Sequence, residues 1–145
     1  MIPFRSEITI RRPVEQVFAF VSDPQNYSKW MGGVTGVQAV NGSLHRGSHV
    51  KMEGRFGMWN LDTPMEITEY QPPRAFGMKG TVGPLLFDGT WEFQTVNGAE
   101  TQLMVSGTFG MSGLWRLAEP LFAGEVRNGE AKELEKIKQQ LESPM

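Results

Sequence analysis

His45 and His49 stand four residues apart, the separation at which two imidazoles on one helix face share a metal ion. They straddle Gly47 at the entrance to a strand, and no third ligand follows at useful spacing. Two solvated histidines are therefore expected, with no metal and no other cofactor. Acid–base chemistry would need a carboxylate inside a cleft with a shifted pKa. Glu53, Asp62, Glu66, Asp88 and Glu92 all fall on the outward side of alternating stretches. A bulge at Gly54 or Gly57 would be needed to turn Glu53 or Arg55 inward. Gly107, Gly110 and Gly113 lie between a strand end and a helix with no βαβ unit around them, so they are no dinucleotide fingerprint. No Gly-x-Ser-x-Gly elbow, P-loop or zinc-protease motif occurs. Ser48 and Thr63 are the expected inward hydroxyls, enough to orient a ligand but not to run a reaction. No catalytic residue is assigned, and the balance favours a protein that is not an enzyme.

Composition bounds the rest. The 145 residues, 39% hydrophobic and 21% charged, suffice for one soluble domain with a real core. A net charge of −2 argues against a phosphate-neutralising surface, so no nucleic-acid partner is expected. Cysteine is absent, which removes disulfides, thiolate ligands and a cysteine nucleophile. The opening MIPFRSEITI lacks a signal-peptide layout, and no apolar run approaches the roughly 18 residues of a membrane span. A cytoplasmic location without stable membrane insertion is the expectation.

The elements that must position any site follow from periodicity. Phe4 to Arg11 alternates as a half-buried strand. Pro13 opens a helix with Val14, Val17, Phe18 and Val21 as its stripe, and Asp23-Pro24 starts a second short helix carrying Tyr27, Trp30 and Met31. Gly32-Gly33 ends it. Six strands then read roughly as Val34–Val40, Gly47–Phe56, Asn60–Tyr70, Ala75–Thr81, Leu86–Val96 and Glu100–Gly110. They are broken at Asn41-Gly42-Ser43, Gly57, Pro72-Pro73, Gly83-Pro84 and Asn97-Gly98. From about Ser112 to Glu142 the spacing predicts one long terminal helix. Its front half, with Leu114, Trp115, Leu117, Leu121, Phe122 and Val126, is apolar on more than one side and should be surrounded. Its rear half keeps a narrow stripe of Leu134, Ile137 and Leu141, with Glu133–Lys136 and Glu135–Lys138 spaced to pair. No linker divides residues 1–145, which read as a single domain.

Alternation then decides what faces inward. The inward set is rich in methionine and aromatic residues and is interrupted by Gly54, Gly80, Gly89 and Gly107. Methionine adapts to irregular shapes, and inward glycine leaves space or bends a sheet. A hydrophobic cavity follows as the expectation. Its predicted lining is Val50, Met52, Phe56, Met65, Ile67, Phe76, Met78, Phe87, Trp91, Val105 and Phe109 from the sheet. Leu117 and Leu121 come from the helix, and Trp59 is placed at the mouth. Entry is expected near Gly57–Asn60 and Gly83–Pro84.

The run Arg12-Pro13-Val14-Glu15-Gln16-Val17-Phe18-Ala19-Phe20-Val21-Ser22-Asp23, followed by Tyr27-Ser28-Lys29-Trp30, resembles the START-like, or SRPBCC, superfamily. Glu69-Tyr70-Gln71-Pro72-Pro73-Arg74 and Gly89-Thr90-Trp91-Glu92-Phe93 running into Glu100-Thr101 resemble it too. That superfamily includes the polyketide cyclase/dehydrase and lipid-transport proteins. The resemblance spans essentially the whole chain. It implies an α+β helix-grip fold: a curved seven-stranded antiparallel sheet wrapped around a long C-terminal helix, with two short helices between strands 1 and 2. It also implies a tunnel for a lipid, quinone or polyketide-like molecule. The metal ligands of its aromatic-ring dioxygenase members have no counterpart here. The leading expectation is carriage or sensing of a hydrophobic small molecule. The alternatives are a polyketide cyclase/dehydratase- or hydrolase-like enzyme, which needs a buried ionisable group, and a protein-interaction module with a packed core.

Overall fold

The computed structural model describes residues 2–31, 34–40, 44–56, 59–82 and 85–143. Strand β1 (Ile2–Ile10) leads into helix α1 (Val14–Ser22), a 3-10 turn (Pro24–Asn26) and the short helix α2 (Tyr27–Trp30). Strands β2 (Val34–Val40), β3 (His49–Phe56), β4 (Trp59–Gln71), β5 (Ala75–Val82), β6 (Leu85–Asn97) and β7 (Glu100–Met111) follow. A 3-10 segment (Gly113–Ala118) and helix α3 (Glu119–Glu142) close the chain. The seven strands form one antiparallel sheet in the order β1-β7-β6-β5-β4-β3-β2, with β1 and β2 at its edges. This is the α+β architecture that the resemblance implies, built from the elements expected from periodicity.

Local chemistry accounts for several boundaries. Asp23 Oδ1 accepts from the Gln25 N–H at 3.0 Å, capping the turn that Pro24 begins. Asn97 Oδ1 accepts from the Ala99 N–H at 2.9 Å and closes the β6–β7 hairpin. Register agrees with the alternation: Ser48, Val50 and Met52 are buried while His49, Lys51 and Glu53 are exposed. On the wet face, Lys79 pairs with Glu66 at 3.5 Å and Lys51 with Asp62 at 3.6 Å. Exposed pairs of this kind contribute about 0–1 kcal/mol each.

The terminal segment departs from expectation. It is not one helix from Ser112. Gly113, with φ +62°, turns the chain off β7 into the 3-10 segment, and α3 starts at Glu119 with Pro120 in its first turn. A proline inside a continuous helix would remove a hydrogen bond and clash one turn back, so a new helix begins around it. The front half is not surrounded either. Leu114, Leu117 and Leu121 are 88%, 85% and 81% exposed, and Trp115 is 57% exposed.

The rear half of α3 is the part fastened to the sheet edge. The Lys138 ammonium donates to the Thr9 carbonyl at 2.6 Å and pairs with Glu142 at 3.0 Å, in place of the expected Glu135 partner. The Arg11 N–H donates to Glu142 Oε2 at 2.9 Å, and the Arg127 guanidinium donates to the Pro3 carbonyl at 3.4 Å. These ties run α3 along β1 and hold Leu134 and Ile137 in the core.

The expected breaks at Gly32-Gly33, Asn41-Gly42-Ser43, Gly57 and Gly83-Pro84 lie outside the described residues. Of the expected entry route, Gly57 and Gly83-Pro84 fall there as well, while Trp59 and Asn60 begin β4.

Candidate functional site

A cavity of about 240 Å³ lies between the inner face of the sheet and the middle of α3. Its floor is three methionines from neighbouring strands: Met52 of β3, Met65 of β4 and Met78 of β5. Phe87 and Phe109, directly opposite each other across β6 and β7, form one wall with Leu85. Met31, which follows α2, and Val34 at the start of β2 form the other. The roof is one stretch of α3, namely Val126, Gly129, Glu130 and Glu133.

Five predicted lining residues therefore meet at the cavity: Met52, Met65, Met78, Phe87 and Phe109. Val50, Ile67, Phe76, Trp91 and Val105 are buried in the surrounding core and do not reach the cavity wall. Trp30, Tyr27, Phe76, Trp91 and Phe87 make a chain of ring contacts 5.5–6.3 Å apart, which stiffens the wall behind Phe87. Leu117 and Leu121 are corrected outright. Both precede the part of α3 that covers the sheet, and both face solvent. The side chains of Phe56 and Trp59 lie outside the described residues.

Three of the four inward glycines, Gly80, Gly89 and Gly107, play a different part from the one expected. A Cβ on Gly80 would stand 2.2 Å from Met65 Sδ, one on Gly89 2.8 Å from the Phe87 ring, and one on Gly107 1.9 Å from the Asp88 carbonyl. They let neighbouring side chains and strands close in and do not themselves leave open space. Open space lies instead at Gly129 in the cavity roof, where a Cβ would meet nothing within 4 Å, as also at the exposed Gly124 earlier in α3.

Glu130 is the residue that strand alternation missed. It is 6% exposed, and its Oε2 has no hydrogen-bond partner among the described residues. Burial raises its pKa from 4.5 to about 7, because the apolar surroundings disfavour the charged form. The expectation of no ionisable group in the cavity is thus overturned from the helix. Glu53 and Asp88 are exposed as expected, and the Arg55 side chain lies outside the described residues. A signal was present: Val126, Glu130, Leu134, Ile137 and Leu141 share one stripe at three- and four-residue spacing, and Glu130 interrupts it.

Ser48 and Thr63 are buried as expected, but the Ser48 hydroxyl already accepts from the His45 N–H at 3.0 Å. His45 and His49 are exposed, and no group of three or more potential metal ligands occurs among the described residues. No helix among the described residues is long and apolar enough to cross a membrane.

A family model described as polyketide cyclase / dehydrase and lipid transport matches residues 1–142. Solved structures share the fold at low identity. A conserved protein from Geobacillus kaustophilus superposes with a TM-score of 0.76 at 19% identity, covering 97% of this chain and 95% of that one. Zhui aromatase/cyclase from a Streptomyces species gives 0.74 at 12% identity, with 97% and 96% covered. The protein Ara h 8.0201 gives 0.74 at 16% identity, with 98% of each chain covered. No curated protein sequence matches the chain.

Proposed function

The chain belongs to the polyketide cyclase/dehydrase and lipid transport family, and from that premise we propose that it binds a small hydrophobic molecule between sheet and terminal helix. The observation that carries this reading is the cavity: ten of its twelve lining residues are methionine, phenylalanine, valine, leucine or glycine. Such a wall gains about 25 cal/mol per Å² of apolar ligand surface removed from water, less the costs of ordering. Its volume of about 240 Å³ lies below the roughly 300–1,000 Å³ of drug-sized sites. A molecule of one or two rings suits it better than a whole lipid or sterol. Gly129 supports the same reading. Glycine within a helix costs about 1 kcal/mol relative to alanine, and no neighbour here forbids a side chain. What it preserves is room.

A second reading is an enzyme acting on a polyketide-like substrate. It is favoured by Glu130, a buried carboxyl in contact with the cavity, which acid–base chemistry requires. The open cavity weighs against the interaction module with a packed core. Native mass spectrometry of freshly purified protein, followed by solvent extraction, tests the binding reading. A retained apolar molecule of one or two rings is the expected result. Protein that stays ligand-free when challenged with naphthalene derivatives would overturn it.

A further inference from the structure

We propose that Glu130 donates a hydrogen bond to a carbonyl oxygen of the cavity's ligand, so that the site selects small apolar ketones or esters over hydrocarbons of the same shape. The proposal rests on the binding reading above and adds the chemistry of the ligand's polar end. Three observations carry it. Glu130 is 6% exposed, it lies in the cavity roof, and its buried Oε2 has no partner among the described residues. A polar atom buried without a partner is destabilising, and a ligand group able to bond it removes that penalty.

Counting donors and acceptors decides which group. A protonated carboxyl offers one O–H, and a carbonyl oxygen accepts it with no charge brought into the apolar space. An ammonium would bring several N–H groups and a second buried charge, whose desolvation opposes the pairing. Protonation of the acid is accessible near neutrality, since burial holds its pKa at about 7. The other titratable group in the wall is Glu133, on the same helix and partly exposed. The elements packed against α3 add none: Arg5 and Glu7 of β1, Glu15 of α1, Lys29 of α2 and Arg116 are exposed. Glu100 of β7 lies at the far hairpin, and the Tyr27 hydroxyl of α2 donates to the Ser22 carbonyl. Binding of a carbonyl ligand should therefore weaken as pH rises and Glu130 ionises.

The test uses naphthalene carrying a methyl-ketone, an isopropyl or an aminoethyl group, three substituents of equal heavy-atom count. Affinities are measured by calorimetry at about pH 6 and about pH 8.5, on either side of the Glu130 transition. The ketone should bind about tenfold tighter than the isopropyl compound at the lower pH, and the preference should largely vanish at the higher. Glu130→Gln, whose amide also donates, should keep the preference at both pH values. Glu130→Leu should lose it at both while still binding the isopropyl compound. Equal ketone and isopropyl affinities at the lower pH, or a preference that survives Glu130→Leu, would overturn the proposal. Tightest binding of the amine would overturn it too, by making the carboxylate an acceptor. Isopropyl binding without ketone preference sinks the donor role alone, whereas binding of none of the three sinks the cavity reading with it.

Discussion

At the front of the terminal segment Leu114, Leu117 and Leu121 stand more than 80% exposed, whereas sixteen residues after Leu114 Glu130 is 6% exposed. Composition alone would reverse that order. The front half is the more apolar, and the rear half carries most of the charge. What decides burial is where the backbone is fastened. Gly113 and Pro120 interrupt the front half before it can lie on the sheet. Arg127, Lys138 and Glu142 tie the rear half to Pro3, Thr9 and Arg11 along β1. The buried carboxyl is the more informative of the two departures for the cavity, since an acid buried without a partner is costly to keep.

The largest effect should come from the core stripe of the rear half. Leu134→Ala, at a position 1% exposed, should cost about 2–5 kcal/mol in urea unfolding. Leu121→Ala should stay within about 0.5 kcal/mol. A comparable loss at both positions would erase the contrast between the halves.

Glu130 sharpens the contrast through pH. Its folded pKa of about 7 exceeds the ordinary 4.5, so between those values the folded state binds more protons than the unfolded one. Its contribution to stability therefore falls as pH rises from about 4.5 through about 7, by on the order of 3 kcal/mol. Glu130→Leu should flatten this decline and leave the protein more stable at pH 8. An unchanged slope would mean the carboxyl is solvated in the folded protein. Gly129→Ala should stabilise by about 0.5–1 kcal/mol, because a Cβ there meets no neighbour.

Glu142 should act with the opposite sign, and its effect should be the smallest because its partner Arg11 is exposed and solvent screens the pair. Hydrogen bonding from the Arg11 N–H, aided by Lys138, lowers its pKa to about 2. Its stabilisation is thus full above about 4.5 and is lost as pH falls toward 2. Glu142→Gln should remove that acid limb of the stability profile while leaving the decline at higher pH in place.

Much of this arrangement was legible in the residues. Period-two alternation placed Met52, Met65, Met78, Phe87 and Phe109 on one face, because a strand whose other face carries Lys51, Glu66, Lys79 and Asp88 has only one tolerable register. Alternation could not separate Met78, which reaches the cavity, from Phe76, which packs into the ring cluster behind it. Both point inward, and the difference depends on how the whole sheet curves. The helix errors have another origin. Helical spacing grouped Leu117 and Leu121 without weighing Pro120 between them, and reading only apolar residues skipped Glu130 within its own stripe. Pro120 is the local signal that separates Leu117 from Leu121. The glutamate was a polar residue at a core position, a local inconsistency that a count of apolar residues does not register.

The most direct test of the account is to fill the space that Gly129 leaves. Binding of isopropyl-naphthalene should be measured by calorimetry for the wild type, Gly129→Leu and Leu121→Arg, with circular dichroism confirming that each is folded. Affinity should fall at least about tenfold for Gly129→Leu and change less than about twofold for Leu121→Arg. Wild-type affinity in a folded Gly129→Leu protein would contradict the cavity reading, because the ligand would then be held somewhere other than beneath the roof of α3.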